Sequence, residues 1–284
     1  MCRLIAYKGV PIAMDQLIFA PRNSLVHQSY NAKELEEPLN GDGFGVGWYM
    51  PEIDKVPGVF VSTSPAWSNR NLRNIAPKIL SPVIFAHVRA ASVGDISEAN
   101  CHPFQFNQFL CMHNGGIGGF SQIKREIRHD LSDEVYNWLR GQTDSEHFFA
   151  IFLDRIIKKK GKHTAKDMVT AMRDTIKYVG SLKKKRKIKE TTYLNVVITD
   201  GQTVVGTRFI EAADSEEPLS LYFSEGSRYV CEDGVCRMVD ADPNEHAVMI
   251  VSEKLTDLRS DWKKVPANHM VVIHDTMKVS LEAV

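Results

Sequence analysis

MCRLIAYKGV (1–10) puts a cysteine one residue from the terminus, directly ahead of a short apolar run. Residues 3–7 read as a strand, stopped by Lys8-Gly9-Val10-Pro11. Taken alone, Cys2 has two readings. It is a small apolar residue opening a first strand, or it is a nucleophile that the strand holds at a chain end. Position 2 by itself does not separate them.

Composition narrows the setting. At roughly 150 residues per domain, a chain of 284 residues makes one large domain or two modest ones. Its 35 Lys+Arg balance 35 Asp+Glu, so net charge argues for neither nucleic acid nor a membrane surface. No stretch approaches the roughly 20 apolar residues that span a bilayer. Lys8, Gly9 and Pro11 break the N-terminal segment as a signal peptide. With 5 cysteines and no export signal, free thiols in a reducing cytoplasm are expected rather than a disulfide framework. That setting keeps Cys2 usable.

Strand signals are dense at both ends of the chain and helices lie in the middle. GFGVGWY (43–49) alternates glycine with Phe44, Val46 and Trp48, so one face lacks side chains and admits another backbone or a ligand. Residues 83–88 and 106–112 are further buried-strand candidates. Helices are predicted over 134–140, 145–159 and 166–178, the second carrying a wide apolar stripe. Strands 193–198 and 203–209 flank Asp200-Gly201, a type I′ hairpin signal. More strands are predicted at 219–223, 229–231, 235–239, 247–251 and 270–274. No linker or repeat interrupts residues 1–284, so a single domain is expected. The strand–helix–strand order fits a layered α+β architecture of two sheets flanked by helices.

Four polar or glycine-rich islands sit at strand ends: Cys2-Arg3, NGDGFGVG (40–47), HVRAASVG (87–94) and HNGGIGG (113–119). NGDGFGVG fits neither G-x-G-x-x-G nor the Walker pattern and suits a close-packed strand. Arg89 either pairs with an acid at the sheet rim or aims its planar fork at a substrate carboxylate. Asn114-Gly115 is a turn signal, or an amide and a glycine N–H that together serve a developing oxyanion. Asp144 sits in TDSE (143–146), where Thr143 and Glu146 have capping-box spacing. A carboxylate there also stays ionised, as a binder of a substrate ammonium must. Cys101-His102 and Cys111-x-His113 raise a zinc site, but their spacing departs from C-x₂₋₄-C with H-x₃₋₅-H and no metal is expected. Cys231 and Cys236 read as hairpin residues. The basic runs 158–160 and 183–186 read as solvated helix ends rather than a nucleic-acid patch.

In this order the segments resemble the class II glutamine amidotransferase domain, an N-terminal-nucleophile hydrolase. MCRL resembles the family's start, in which the initiator Met is removed and Cys becomes the first residue. SLVHQS (24–29) and DGFGVGWY (42–49) resemble its stand-alone branch. HVRAAS with NCHPF (100–104), and MHNGGI (112–117), resemble the glutamine-site motifs, and TDSE the segment holding the substrate amino group. MIVSEKL (249–255) with Trp262 resembles that branch's C-terminal part, so the resemblance covers nearly the whole chain.

The resemblance implies a four-layer αββα sandwich of two mainly antiparallel sheets between helices. It implies Cys2 as nucleophile with its own α-amine as base, Asn114 and Gly115 as the oxyanion hole, and Arg89 and Asp144 on the substrate's carboxylate and amino groups. Ser92, where the family more often has Thr near the substrate, is implied as a further substrate-binding residue, and His102 as a supporting one. The implied reaction is hydrolysis of the γ-amide of glutamine or a γ-glutamyl compound through a Cys2 thioester, releasing ammonia or an amine. No cofactor is implied. The partners left open are an ammonia-accepting synthase, a peptidase subunit or a second copy of the chain. Stand-alone relatives include hydrolases of γ-glutamyl peptides in glutathione breakdown and ergothioneine synthesis. The opposing reading is a glutamine-binding or regulatory subunit without turnover. Its signature, loss of Cys2, Arg89 or Asn114-Gly115, is not seen.

Overall fold

A computed structural model of the chain describes residues 2–34, 39–91, 94–159, 161–212, 216–232, 235–240 and 242–284. The strands of the first half are β1 (Arg3–Ala13), β2 (Phe44–Met50), β3 (Asp54–Ser62), β4 (Leu80–Val88), β5 (Phe104–Phe106) and β6 (Phe109–Gly116). Those of the second half are β7 (Thr192–Thr199), β8 (Val204–Glu211), β9 (Tyr222–Gly226), β10 (Arg228–Glu232), β11 (Val235–Val239), β12 (Ala247–Val251), β13 (Lys263–Lys264), β14 (His269–Ile273) and β15 (Val279–Ala283). The helices are α1 (Asp15–Ile18), α2 (Leu25–Asn31), α3 (Arg70–Ile75), α4 (Phe120–Asp130), α5 (Asp133–Trp138), α6 (Asp144–Ile156) and α7 (Ala165–Arg186).

Among the described residues, β13-β9-β12-β1-β4-β2-β3 form a seven-stranded sheet and β15-β14-β8-β7-β6-β5 a six-stranded one. Every pairing in both is antiparallel. Strand alternation builds the layers. Leu4 and Ala6 of β1 face the inter-sheet core, where they meet Met112, Val197 and Val271 of the second sheet. Ile5 and Tyr7 face the opposite side, toward α1, α2 and the β10–β11 hairpin. The far face of the second sheet, including Cys111 and Val196, packs on α4, α6 and α7. Helix α6 is buried nearly all round, as a helix apolar on most faces must be. The result is an αββα sandwich of two antiparallel sheets between helices, as the resemblance implies.

Local details depart from the sequence reading for identifiable reasons. Strand β1 continues past Gly9-Val10-Pro11, because its register on β4 shifts between Lys8 and Ile12, where Pro11 needs no ladder N–H. The single strand predicted over 106–112 is the β5–β6 hairpin, turned at Asn107 with φ 48°. At Asp200-Gly201 only Gly201 has positive φ, so the turn is not type I′; Asp200 Oδ1 accepts from the N–H groups of Gln202 and Thr203 instead. Residues 218–220 are irregular rather than strand, because Asn195 and Arg208 side chains take their carbonyls. Cys231 and Cys236 face each other across the β10–β11 hairpin with Cα atoms 4.1 Å apart, and they form a disulfide instead of remaining free. Helix α7 runs on to Arg186, so 183–186 is its last turn. Lys183 is nonetheless buried, with Nζ donating to Glu190 O, Thr192 Oγ1 and Glu211 Oε2.

Candidate active site

The edge where β1 begins and β4 and β6 end gathers Cys2, Arg89 and Asn114. Cys2 is fixed by the first residues of β1. Arg3 pairs with Val88 in the ladder, and Leu4 N–H donates to Ser252 Oγ at 2.9 Å. Arg3 is buried, with Nε on Glu253 Oε2 at 3.0 Å and Nη1 donating to Cys2 O at 3.2 Å. Glu253 also accepts from the N–H groups of Lys33 and Glu34, so one carboxylate ties the chain start to the 33–34 segment. The half-buried Cys2 thiol lies against Ala90, accepting from its N–H at 3.4 Å and donating to its carbonyl at 3.5 Å. Burial pushes the Cys2 thiol up, opposed by the Ala90 amide and by Arg89 and Arg3.

Arg89 continues β4 and is buried. Its N–H donates to Gly43 O at 2.8 Å and its Nη1 to Asp95 O at 3.2 Å. The glycine alternation of 43–49 does admit a backbone: a Cβ on Gly45 would stand 2.3 Å from His102 O. Ser92 and Met1 lie outside the described residues.

Asn114 and Gly115 end β6. Asn114 Oδ1 accepts from His87 Nε2 at 3.2 Å, and the same nitrogen meets His113 O at 3.3 Å. A backbone carbonyl can only accept, so His87 Nε2 carries the hydrogen and Asn114 must present its oxygen. That orientation leaves the buried Asn114 Nδ2 without a partner among the described residues. Burial lowers His87 to about 3, so it stays neutral and this tautomer persists. Gly115 has φ 134°, and a Cβ there would lie 2.1 Å from Tyr193 O, so only glycine fits. His102 packs against His87 and Phe104 at ring-centroid distances of 4.3 and 4.5 Å. Neither of its nitrogens has a partner among the described residues, and burial holds it well below the usual histidine range.

Asp144 opens α6. Its Oδ2 accepts from Ile117 N–H at 2.7 Å and its Oδ1 from Ser145 N–H at 2.8 Å, tying the helix start to the end of β6. Thr143 Oγ1 accepts from Glu146 N–H, but the Glu146 carboxylate turns to Arg140 and Gly141 N–H. The expected capping box is therefore half formed. His87 and Glu253 lay in segments singled out in the sequence without a role. Asn195, directly opposite Asn114 in the β6–β7 ladder, drew no notice there.

Residues 20–283 match the family model for class-II glutamine amidotransferases, and the chain belongs to that family. It is an enzyme of that family. It is 38% identical over 292 residues to the probable glutamine amidotransferase DUG3 of Saccharomyces cerevisiae, covering 96% of this chain and 82% of the yeast protein. It is 33% identical over 117 residues to the gamma-glutamyl-hercynylcysteine sulfoxide hydrolase of Mycolicibacterium smegmatis, across 40% of this chain and 51% of that protein. The solved structure of a class-II domain protein from Silicibacter pomeroyi superposes with a TM-score of 0.68 at 25% identity, over 99% of each chain. No helix among the described residues is long and apolar enough to cross a membrane.

Proposed function

We propose that the protein hydrolyses the γ-amide of glutamine or a γ-glutamyl compound, with Cys2 as nucleophile after removal of Met1. The observation that carries this reading is the buried Asn114 Nδ2, without a partner among the described residues, on a residue that lines the same cavity as Cys2. A buried donor with no protein partner is costly unless a ligand oxygen meets it.

Arg89 and Asp144 bind the substrate's α-carboxylate and α-ammonium, which aims the γ-carbonyl at Cys2 Sγ. Burial keeps the thiol protonated near neutral pH, so a base is needed. The free α-amine of Cys2 supplies it, because its ordinary pKa of about 7.7–8.0 leaves part of it unprotonated near neutral pH. Attack places negative charge on the carbonyl oxygen, which Asn114 Nδ2–H and Gly115 N–H stabilise. Collapse breaks the C–N bond and hands the proton to the leaving nitrogen. Water then cleaves the γ-glutamyl thioester to glutamate and regenerates the thiol. Ser92 is proposed as a further substrate-binding residue and His102 as a supporting one. The proposed setting is the cytoplasm.

The test pairs the intact mass of the N-terminus with hydrolysis of glutamine and of a γ-glutamyl dipeptide by wild type and Cys2→Ala. Turnover by a Met1-free chain that Cys2→Ala abolishes is the expected result. Undiminished turnover by Cys2→Ala would remove Cys2 from the mechanism.

A further inference from the structure

The two side chains proposed for the substrate's head group come from different layers of the molecule. Arg89 continues β4 of the seven-stranded sheet, whereas Asp144 opens α6, which packs on the far face of the six-stranded one. An α-amino acid carries its carboxylate and its ammonium on a single carbon. A site that reads both groups must therefore hold Arg89 and Asp144 at a fixed spacing. Strand pairing does not set that spacing, because β4 and α6 share no ladder.

One buried side chain spans the gap. Asn100 ends a single 3₁₀ turn, Glu98–Asn100. Its Nδ2 donates to Asp95 O at 2.9 Å, the same carbonyl that accepts from Arg89 Nη1 at 3.2 Å. Its Oδ1 accepts from Gln142 N–H at 3.0 Å, two residues ahead of Asp144. The amide orientation is forced, since a carbonyl demands the nitrogen and an N–H demands the oxygen. The Arg89 guanidinium and the entry to α6 are thus tied to opposite ends of one planar amide.

The surroundings keep that amide in place. A Cβ on Gly141 would stand 2.4 Å from Asn100 Oδ1 and 2.8 Å from Ala99 O, so the segment before α6 closes directly on Asn100. The neighbouring N–H groups of Arg140 and Gly141 go to the carboxylate of Glu146, itself on α6. Every backbone donor from 140 to 142 is therefore committed to Asn100 or to α6. Residues 94–96 are exposed, and the buried Asn100 amide anchors the Asp95 carbonyl on which Arg89 rests.

We propose that Asn100 is a positioning residue that sets the spacing between Arg89 and Asp144, and with it recognition of the substrate's α-amino acid head. This rests on the head-group roles given to Arg89 and Asp144 above. Asn100 takes part in no bond-making step; it acts through the two segments that it joins. Alanine at this position loses both arms. Aspartate would keep the acceptor for Gln142 N–H and set a carboxylate oxygen against Asp95 O, and glutamine would overfill the contact with Gly141.

The test reads binding separately from turnover. Calorimetry on the Met1-free Cys2→Ala protein measures L-glutamine alone and with Asn100→Ala, Arg89→Lys or both added. Asn100→Ala should weaken glutamine about tenfold, the range of one hydrogen bond to a charged group. Added to Arg89→Lys it should cost less than about threefold more, because the fork that it positions is already gone. Losses that multiply in the double variant, or an unchanged affinity in folded Asn100→Ala, would overturn the proposal. So would a Cys2→Ala protein that binds no glutamine. With Cys2 present, Asn100→Ala should raise KM for glutamine about tenfold and leave kcat within about threefold; a loss carried by kcat would contradict a role through the head group. Thermal unfolding is the fold check. Asn100→Ser, whose hydroxyl can serve one arm, is the second variant and should give an intermediate loss. If the predicted coupling holds while wild type turns over neither glutamine nor a γ-glutamyl dipeptide, the hydrolase reading fails and the positioning role stands. Turnover with losses that multiply does the reverse.

Discussion

His87 Nε2–H donates to Asn114 Oδ1 across 3.2 Å, and this bond turns the Asn114 amide so that Nδ2 is left for a ligand. The imidazole itself does not line the cavity beside the thiol. In the proposed mechanism it positions the oxyanion donor, and its neutrality follows from burial. Asn114→Ala should lower kcat by roughly 100- to 1,000-fold with KM little changed, since the donor serves charge that develops in the transition state. His87→Ala should cost about 10- to 100-fold in kcat, because the donor remains but loses its fixed orientation. His87→Gln, which keeps an N–H near the Nε2 position, should recover part of that loss. Equal damage to kcat and KM in His87→Ala would point to a structural role instead.

Arg89→Lys replaces a planar fork by a point charge. The expected result is a fall in kcat/KM of about 10- to 100-fold carried by KM, the range of losing one charge-assisted hydrogen bond. Steady-state kinetics on glutamine checks the split, and a loss confined to kcat would argue against carboxylate binding.

Arg3 and Glu253 form an ion pair whose side chains are 4% and 2% exposed. Glu253→Gln leaves a buried cation without its counter-charge and should destabilise the fold by about 3–5 kcal/mol in urea unfolding. Activity should fall as well, because Glu253 also holds the N–H groups of Lys33 and Glu34 beside the chain start. A variant as stable as wild type would show that the pair does not fix Cys2 in place.

Buried histidines set an acid limit. Burial lowers His87 to about 3 and His147 to about 4, and it also lowers His102 and His113. The unfolded chain therefore binds protons near pH 6.5 that the folded chain refuses. With more protons on the unfolded state, stability rises with pH across this window and is lost as pH falls below about 6.5. Each such histidine contributes a slope of about 1.4 kcal/mol per pH unit. Glu146, raised by burial, opposes this in part. Unfolding free energies between pH 7 and 4.5 should decline accordingly; a flat profile would mean that these rings are protonated in the fold.

Cys2, Arg89, Asn114-Gly115 and Asp144, the residues proposed for the site, were legible as candidates because each lies in a short motif at a strand or helix end. The order of those motifs carries the family signal. The layers were legible too, since β1 and α6 follow simple periodicities. What stayed hidden depends on contacts between distant parts of the chain. Glu253 acquires its role only when β12 lies beside β1 and brings it to Arg3. Asn195 read as one polar residue in an apolar strand, and its contacts depend on pairing opposite Asn114 and on the irregular 218–220 carbonyls. Asp200-Gly201 gave the hairpin correctly but not its geometry, because the Asp200 side chain captures two backbone N–H groups. The Cys231–Cys236 bond was likewise invisible to a cysteine count, since it follows from cross-strand register.

Covalent trapping tests Cys2 as the proposed nucleophile most directly. A diazoketone analogue of glutamine, incubated with the protein, should leave one adduct per chain, mapped by mass spectrometry to Cys2 of the Met1-free form. Cys101 and Cys111 are buried free thiols and should remain unmodified. Excess glutamine should protect against labelling. An adduct on Cys101 or Cys111, or equal labelling of chains that retain Met1, would contradict a nucleophile activated by its own α-amine.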